Sequence, residues 1–265
     1  MATHPRPQTL AIIGFGNFGQ FLAKTFVRQG HRVLGQSRSD YSTVAKELGA
    51  EYFNTADEVL DQNPDVVILC TSIMSLKTVM TKFPLQRLEN RVVVDVCSVK
   101  EYPRDLMMEM LPPSADILCT HPMFGPESGK HSWKNLPFVY DIVRVYNEER
   151  QKIVEDFILI WELEQCSMVP MTSKEHDSFA ASTQFITHTT GRMLAGLSLT
   201  STPIDTKGYE SLLGVIDTTI KDSFDLYYGL YRYNYNSKSQ IQRLEDSLRD
   251  LRMKLEEEER KEQDQ

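Results

Sequence analysis

The chain has 265 residues, 41% of them hydrophobic, and a formal net charge of −8 at pH 7. This length holds one large domain or two modest ones with a substantial core, and the acidic balance argues against nucleic acid as a partner. No run of eighteen apolar residues occurs, so no membrane span is expected.

Met1 to Thr9 are too few and too polar for a signal or transit peptide. The expected compartment is therefore the cytoplasm, or the plastid if a targeting segment has been removed. Cys70, Cys97, Cys119 and Cys166 show no metal-ligand spacing, and the first three end or follow apolar runs. Reduced, buried thiols and no metal are expected.

In chain order, Leu10 to Ile13 reads as a buried parallel strand. Gly14-Phe15-Gly16-Asn17-Phe18-Gly19 follows at once, and then a helical run from Gln20 to Gln29. In such a strand–loop–helix unit the first glycine permits a tight turn. The second lets backbone approach a pyrophosphate, and the third lets helix and strand pack closely. The helix N-terminus adds unpaired N–H groups and the positive end of its dipole. Gly14, Gly16, Asn17, Phe18 and Gly19 are thus expected to hold a dinucleotide.

The second strand, Arg32 to Gly35, runs into Gln36-Ser37-Arg38-Ser39, with no carboxylate before Asp40. An acid here would accept from a ribose 2′-hydroxyl. Arg38 can instead pair with a 2′-phosphate, with Ser37 and Ser39 adding hydroxyl bonds. The cofactor expected is NADP. The alternative is that Arg38 is solvated and Asp40 takes the acidic role.

Further strands are expected at Ala50–Tyr52, Asp65–Cys70, Arg91–Val96, Asp116–Thr120, Phe138–Val143 and Cys166–Val169. A helix, Glu148 to Leu163, precedes the last. From Thr172 onward only helices are expected, broken near Ser201-Thr202-Pro203 and Tyr233–Asn236. The fold class is therefore α/β: an N-terminal Rossmann-type dinucleotide-binding domain, residues 1–171, followed by an all-helical C-terminal domain, residues 172–265. In the last helix Ile241, Leu244, Leu248, Leu251 and Leu255 form an apolar seam. It packs either on a partner subunit or on its own domain. Glu256 to Gln265 is a charge run expected to fray.

Ligands of doubly wound sheets bind outside the carboxyl ends of the strands. Thr71 and Ser72, after the fourth strand, are expected to wall the adenosine or ribose. Ser98 and Lys100 follow the fifth. His121 ends the sixth, fixed by Pro122, and faces the cofactor crevice as a general base or hydrogen-bond acceptor. In the helical domain Gln184 and His188, four apart, share a helix face that is a candidate lining for the interdomain cleft. His176 is a weaker candidate for that lining and reads as easily as capping or solvated.

Taken together, GFGNFG, Ser37-Arg38, Asp95 to Lys100, Thr120 to Pro126, Glu175-His176-Asp177, Gln184 to His188 and Thr206 to Glu210 resemble the arogenate/prephenate dehydrogenase family, most closely its single-domain plant members. The resemblance spans about residues 9 to 235 and leaves out only the charged C-terminal helix. It implies oxidative decarboxylation of a cyclohexadienyl substrate: arogenate to tyrosine, or prephenate to 4-hydroxyphenylpyruvate. By resemblance His121 accepts a hydrogen bond from the ring 4-hydroxyl, and Ser98 bonds the same hydroxyl or orients His121. Gln184, Thr187 and His188 would hold the substrate's polar groups. The arginine with which bacterial members bind a substrate carboxylate is missing from Gly208 to Leu213, leaving Lys207, Arg192 or Lys130 for that part.

The resemblance also implies that an acid at position 222 favours arogenate, whose side chain carries an α-ammonium, over prephenate, whose side chain carries a keto group. Asp222 supplies it, unless it merely caps a helix from Ser223 to Tyr231. The expected enzyme is an NADP-dependent arogenate dehydrogenase. The alternatives are a prephenate-preferring or dual enzyme, a silent NADPH-binding sensor, and a reductase of β-hydroxy acids. A homodimer through the helical domain is the expected assembly.

Overall fold

The computed structural model describes residues 6–263. They divide into two compact units, Met1–His176 and Asp177–Gln265.

The first unit is built on one eight-stranded sheet. Its strands are β1 (Thr9–Ile13), β2 (Arg32–Gln36), β3 (Glu51–Phe53), β4 (Val66–Leu69), β5 (Val92–Asp95), β6 (Asp116–Pro122), β7 (Pro137–Arg144) and β8 (Ser167–Pro170), in the order β3-β2-β1-β4-β5-β6-β7-β8. The pairs from β3 through to β6 are all parallel, β7 is antiparallel to β6, and β8 is parallel to β7. β4 and β5 read Val-Val-Ile-Leu and Val-Val-Val-Asp and are buried throughout. A parallel sheet covered on both faces selects such unbroken apolar runs. Chain order reverses between β1 and β4, and the loops leaving these two strands meet at that switch point.

Six helices connect the strands: α1 (Asn17–Arg28), α2 (Ser42–Leu48), α3 (Ala56–Asp61), α4 (Leu76–Lys82), α5 (Glu101–Met110) and α6 (Glu148–Leu163). Thr55 opens α3 with a capping box against Glu58. Asn147 opens α6 by accepting from the Arg150 N–H at 3.0 Å. The core centres on Trp161 of α6, whose ring stacks on Phe138 at 4.0 Å between centroids and on Trp133 at 5.0 Å.

One expected strand end is corrected. β6 does not stop at Thr120 but continues through His121 and Pro122. β7 folds back antiparallel and pairs there, His121 against Val139 and Pro122 against Phe138. The four cysteines are free thiols, three of them buried. Burial pushes Cys70 and Cys166 up to about 12.

α7 (Ser173–Ser182) carries the division between the units. The second unit continues with α8 (Gln184–Ala195), α9 (Lys207–Lys221), α10 (Phe224–Tyr233) and α11 (Ser237–Gln263). Two caps start helices in this unit. Thr206 accepts from the Tyr209 N–H at 3.3 Å, and Ser223 accepts from the Leu226 N–H at 3.2 Å. The expected fraying beyond Leu255 is also corrected, because α11 stays helical to Gln263. Pairs one turn apart support it there, Lys261 with Glu257 at 3.1 Å and with Glu258 at 2.8 Å. Residues 264 and 265 lie outside the described residues.

Candidate active site

The glycine loop leaves β1 at the switch point. Gly14 has φ +106°, and a Cβ there would stand 2.2 Å from the Cys70 carbonyl oxygen at the end of β4. Only glycine fits. A Cβ at Gly19 would meet the Gly14 carbonyl oxygen at 2.5 Å, which is the close helix–strand approach this spacing requires. Gly16, in contrast, faces open space and caps α1 with no side-chain hydrogen bond. The first-turn N–H groups around Asn17 and Phe18 therefore have no side-chain cap. Thr71 Oγ1, beside this loop, is buried without a hydrogen-bond partner among the described residues. Ser72 is turned to its own helix start, bonding Ser75 Oγ at 2.9 Å.

At the end of β2, Arg38 is exposed, and among the described residues no ion pair or hydrogen bond engages it. Ser37 and Ser39 give their carbonyls to the Tyr52 hydroxyl at 3.1 and 2.6 Å. The Asp40 carboxylate accepts from the Ser42 N–H at 2.8 Å, a bond that holds it below the usual carboxylate range. Open space at Gly16, an uncapped helix start, an orphaned Thr71 hydroxyl and an unengaged arginine together fit a dinucleotide with its pyrophosphate on the loop.

Three strands away, His121 lies 3% exposed on β6. Its Nδ1 stands 2.8 Å from Nε2 of His176, itself buried in the first turn of α7. The reading of His176 as capping or solvated is thus corrected. Nothing in its local pattern signals burial, because the contact spans 55 residues. Burial, then His176, then Lys100 hold the His121 imidazole well below the ordinary histidine range, so it is neutral at pH 7. Ser98, half-buried beyond β5, is not the partner at Nδ1.

Lys100 runs back under the strand ends. Its ammonium pairs with the Asp95 carboxylate, and Nζ donates to the Thr120 carbonyl at 2.5 Å, the residue before His121. Thr120 Oγ1 donates to the Asp95 carbonyl at 2.6 Å and ties β5 to β6 again. Both charged groups are 1% exposed or less. A buried pair of this kind is destabilising to break from one side alone.

In the second unit, Gln184 and His188 stand one turn apart on α8. Gln184 Oε1 and His188 Nδ1 are both buried without hydrogen-bond partners among the described residues. His188 Nε2 stands 3.6 Å from Asp222 Oδ2. Burial first, opposed by Asp222 and aided by Arg192, holds this imidazole below its ordinary range. Asp222 does not start α10, so that alternative is corrected. It ends α9, and Ser223 provides the cap. Thr187 Oγ1 bonds back to the Thr183 carbonyl at 3.0 Å. Lys207 stands at the opposite end of α9 from Asp222, about 20 Å along the axis at helical rise, and pairs with Glu210 at 3.0 Å. The structure brings Gln184, His188 and Asp222 together, with Arg192 beside them, and leaves Lys207 apart.

A glycine loop at the switch point of a doubly wound sheet, and a neutral histidine on a strand of that sheet, define a nucleotide-binding α/β protein with a helical second unit. Residues 22–159 match the family described as "Prephenate dehydrogenase, nucleotide-binding domain", and residues 193–265 match "TYRAAT1-like, C-terminal domain". Arogenate dehydrogenase 1, chloroplastic, of Arabidopsis thaliana is 54% identical over 93% of this chain and 39% of its own length. Arogenate dehydrogenase 2, chloroplastic, of the same plant is 51% identical over 93% of this chain and 69% of its own. The chain thus spans well under half of the first relative and about two thirds of the second. A crystal structure of prephenate dehydrogenase from A. aeolicus shares the fold at TM-score 0.74 and 19% identity, over 97% of this chain and 93% of that one. Synechocystis arogenate dehydrogenase does so at 0.71 and 17%, over 95% and 93%. The chain belongs to the arogenate/prephenate dehydrogenase family.

Proposed function

We propose that the protein is an NADP-dependent arogenate dehydrogenase that converts arogenate to tyrosine by oxidative decarboxylation. The observation that carries this reading is the buried His121–His176 pair on a nucleotide-binding sheet, in a chain half identical to two plant arogenate dehydrogenases. Bound NADP supplies the hydride acceptor.

In the tautomer that places the His121 proton on Nδ1, shared with His176 Nε2, the lone pair at His121 Nε2 can take the proton of the ring hydroxyl as the C4–H bond gives up its hydride. The hydroxyl carbon then becomes carbonyl-like. The bond from the ring to its carboxylate breaks, CO2 leaves, that electron pair restores the aromatic ring as a phenolate, and the proton held on His121 returns to its oxygen. Ser98 serves the same hydroxyl. Gln184, Thr187 and His188 hold the polar groups of the substrate, and Asp222 faces the α-ammonium. The candidates for the cation that meets the substrate carboxylate are Lys207, Arg192 and Lys130. Gly14, Gly16, Asn17, Phe18 and Gly19 cradle the pyrophosphate, with Thr71 and Ser72 along the nucleoside. Arg38, flanked by Ser37 and Ser39, selects the 2′-phosphate.

A homodimer through the helical unit accompanies this reading, supported by the exposed Leu248, Leu251 and Leu255 on α11. Sedimentation at micromolar protein tests it, and a monomer refutes it. The chloroplastic relatives support a plastid location, which imaging of the tagged protein tests. The decisive assay is the initial rate of NADPH formation from arogenate and from prephenate, wild type beside Asp222→Asn. An arogenate preference that collapses in the variant supports both the reaction and the part of Asp222. Equal use of both substrates keeps the reaction class and removes Asp222 as selector. No rate with either refutes the proposal.

A further inference from the structure

α8 and α9 approach so closely that a Cβ at Gly191 would stand 2.1 Å from Thr219 Oγ1. The next residue, Arg192, reaches across this contact. Its Nη2 donates to the Asp222 carbonyl at 2.7 Å and to the Ser223 carbonyl at 3.2 Å. These carbonyls lie where α9 ends and α10 begins, the negative end of the α9 dipole, where a guanidinium is favoured. The guanidinium carbon also lies 5.2 Å from the centroid of Tyr227 and 5.9 Å from that of Phe224, both on α10. Tyr227 is fixed in turn. It stacks on Phe185 at 5.5 Å and 8° between planes, and its hydroxyl lies 3.1 Å from Thr189 Oγ1. One turn before Arg192 on the same face of α8 stands His188, facing the Asp222 carboxylate.

We propose that Arg192 is a positioning residue: by tying the α9–α10 junction to α8 it sets where the Asp222 carboxylate stands beside His188, and so sets recognition of an ammonium-bearing substrate. The inference rests on the reading of Asp222 given above. Arg192 Nη2 is spent on two carbonyls and its neighbours at the junction are two aromatic rings, while its Nε is buried without a hydrogen-bond partner among the described residues; the kinetics below separate positioning from direct contact with a carboxylate. The division of labour follows from the side chains available. Asp222 ends a helix, where its backbone is held only at the junction. Without the guanidinium the junction keeps the Ser223 cap and the packing of Tyr227 on Phe185 but loses the two bonds that hold its carbonyls to α8.

The test is steady-state kinetics with arogenate and prephenate on the full chain, using Arg192→Gln, Arg192→Lys, Asp222→Asn and the double variant Asp222→Asn/Arg192→Gln. Arg192→Gln should raise KM for arogenate about tenfold, change kcat by no more than about twofold, and leave KM for prephenate unchanged. Arg192→Lys, which keeps a cation but not the fork, should recover part of the loss. In the Asp222→Asn background Arg192→Gln should add nothing to the lost discrimination, the non-additivity expected of two residues acting through one group. An equal rise in KM for both substrates would overturn the proposal, since both carry the same carboxylates and the arginine would then bind them directly. Additive losses in the double variant would also overturn it. If Asp222→Asn lowers arogenate preference and Arg192→Gln does not, this inference alone fails. If Asp222→Asn leaves the preference intact, the reading of Asp222 fails and takes this one with it.

Discussion

His121 sits on a buried strand, bonded to a buried histidine and backed by a buried ion pair, whereas His188 sits on a helix with unpaired polar atoms before and beside it. The first arrangement is part of the sheet's own core. Its members hold each other whether or not a ligand is bound, as pre-organised chemistry requires. The second is half open. Gln184 Oε1 and His188 Nδ1 are buried without partners among the described residues, and the Asp222 side chain is 47% exposed. An unsatisfied buried polar group costs about 1–3 kcal/mol, and a ligand that answers such groups recovers that cost on binding. On the roles proposed for them, chemistry and recognition are coupled to folding to different degrees. Substitutions in the sheet unit should disturb stability and rate together, and those around His188 should disturb recognition alone.

The largest expected effect is at His121. His121→Ala should lower kcat by roughly 10²–10⁴, the usual range for a proton-transfer group, while a fluorescence titration with NADPH stays unchanged. Loss of nucleotide binding would show that the histidine and the glycine loop are not separable.

Next is the buried ion pair. Lys100→Met should cost about 3–5 kcal/mol in thermal or denaturant unfolding, because it strands Asp95 without its partner. Lys100→Met combined with Asp95→Leu should return much of that loss. If the single substitution is silent in unfolding, the contrast drawn between the two regions breaks.

At the nucleotide end, Arg38→Ala should narrow NADP preference over NAD by about 1.5–3 kcal/mol, the worth of bonds to a charged group. The ratio of kcat/KM for the two cofactors reads it directly, and an unchanged ratio removes Arg38 as the selector. In the helical unit, Gly191→Ala should cost about 1–3 kcal/mol of stability through overpacking against Thr219.

The smallest expected effect is a pH dependence. Burial first, then His176 and Lys100, lower the folded-state affinity of His121 for protons. The unfolded chain therefore binds more protons below about pH 6.5, its ordinary value. Stability from this group is complete above that pH and is lost as pH falls toward the folded value. The acid limb of kcat/KM should accordingly lie below 6.5, and a limb at or above 6.5 would contradict the burial argument.

The parts legible in the sequence were those whose signal is local. The glycine loop announced itself, because turn, approach and packing are satisfied within six consecutive residues. β4 and β5 are legible because burial on both faces demands continuous apolar runs. The continuation of β6 past His121 into Pro122 is not legible, since it depends on β7 folding back from 15 residues or more along the chain. His176 was missed for the same reason, its partner being fixed by the fold and not by spacing. Asp222 presented two local options, a cap or a free carboxylate, and the neighbouring Ser223 took the cap. A charge run alone signals fraying, and the length of α11 rests instead on signs spaced to pair one turn apart.

The division between Asp222 and Ser223 has an evolutionary consequence. Serine starts the next helix, so the preceding side chain bears no folding duty at that junction. Exchanging aspartate for asparagine there needs a single nucleotide change, preserves shape, and removes one charge. If Asp222 selects the substrate as proposed, a lineage can sample a different substrate preference by one such step, with no compensating mutation in either helix, and can return by the reverse step.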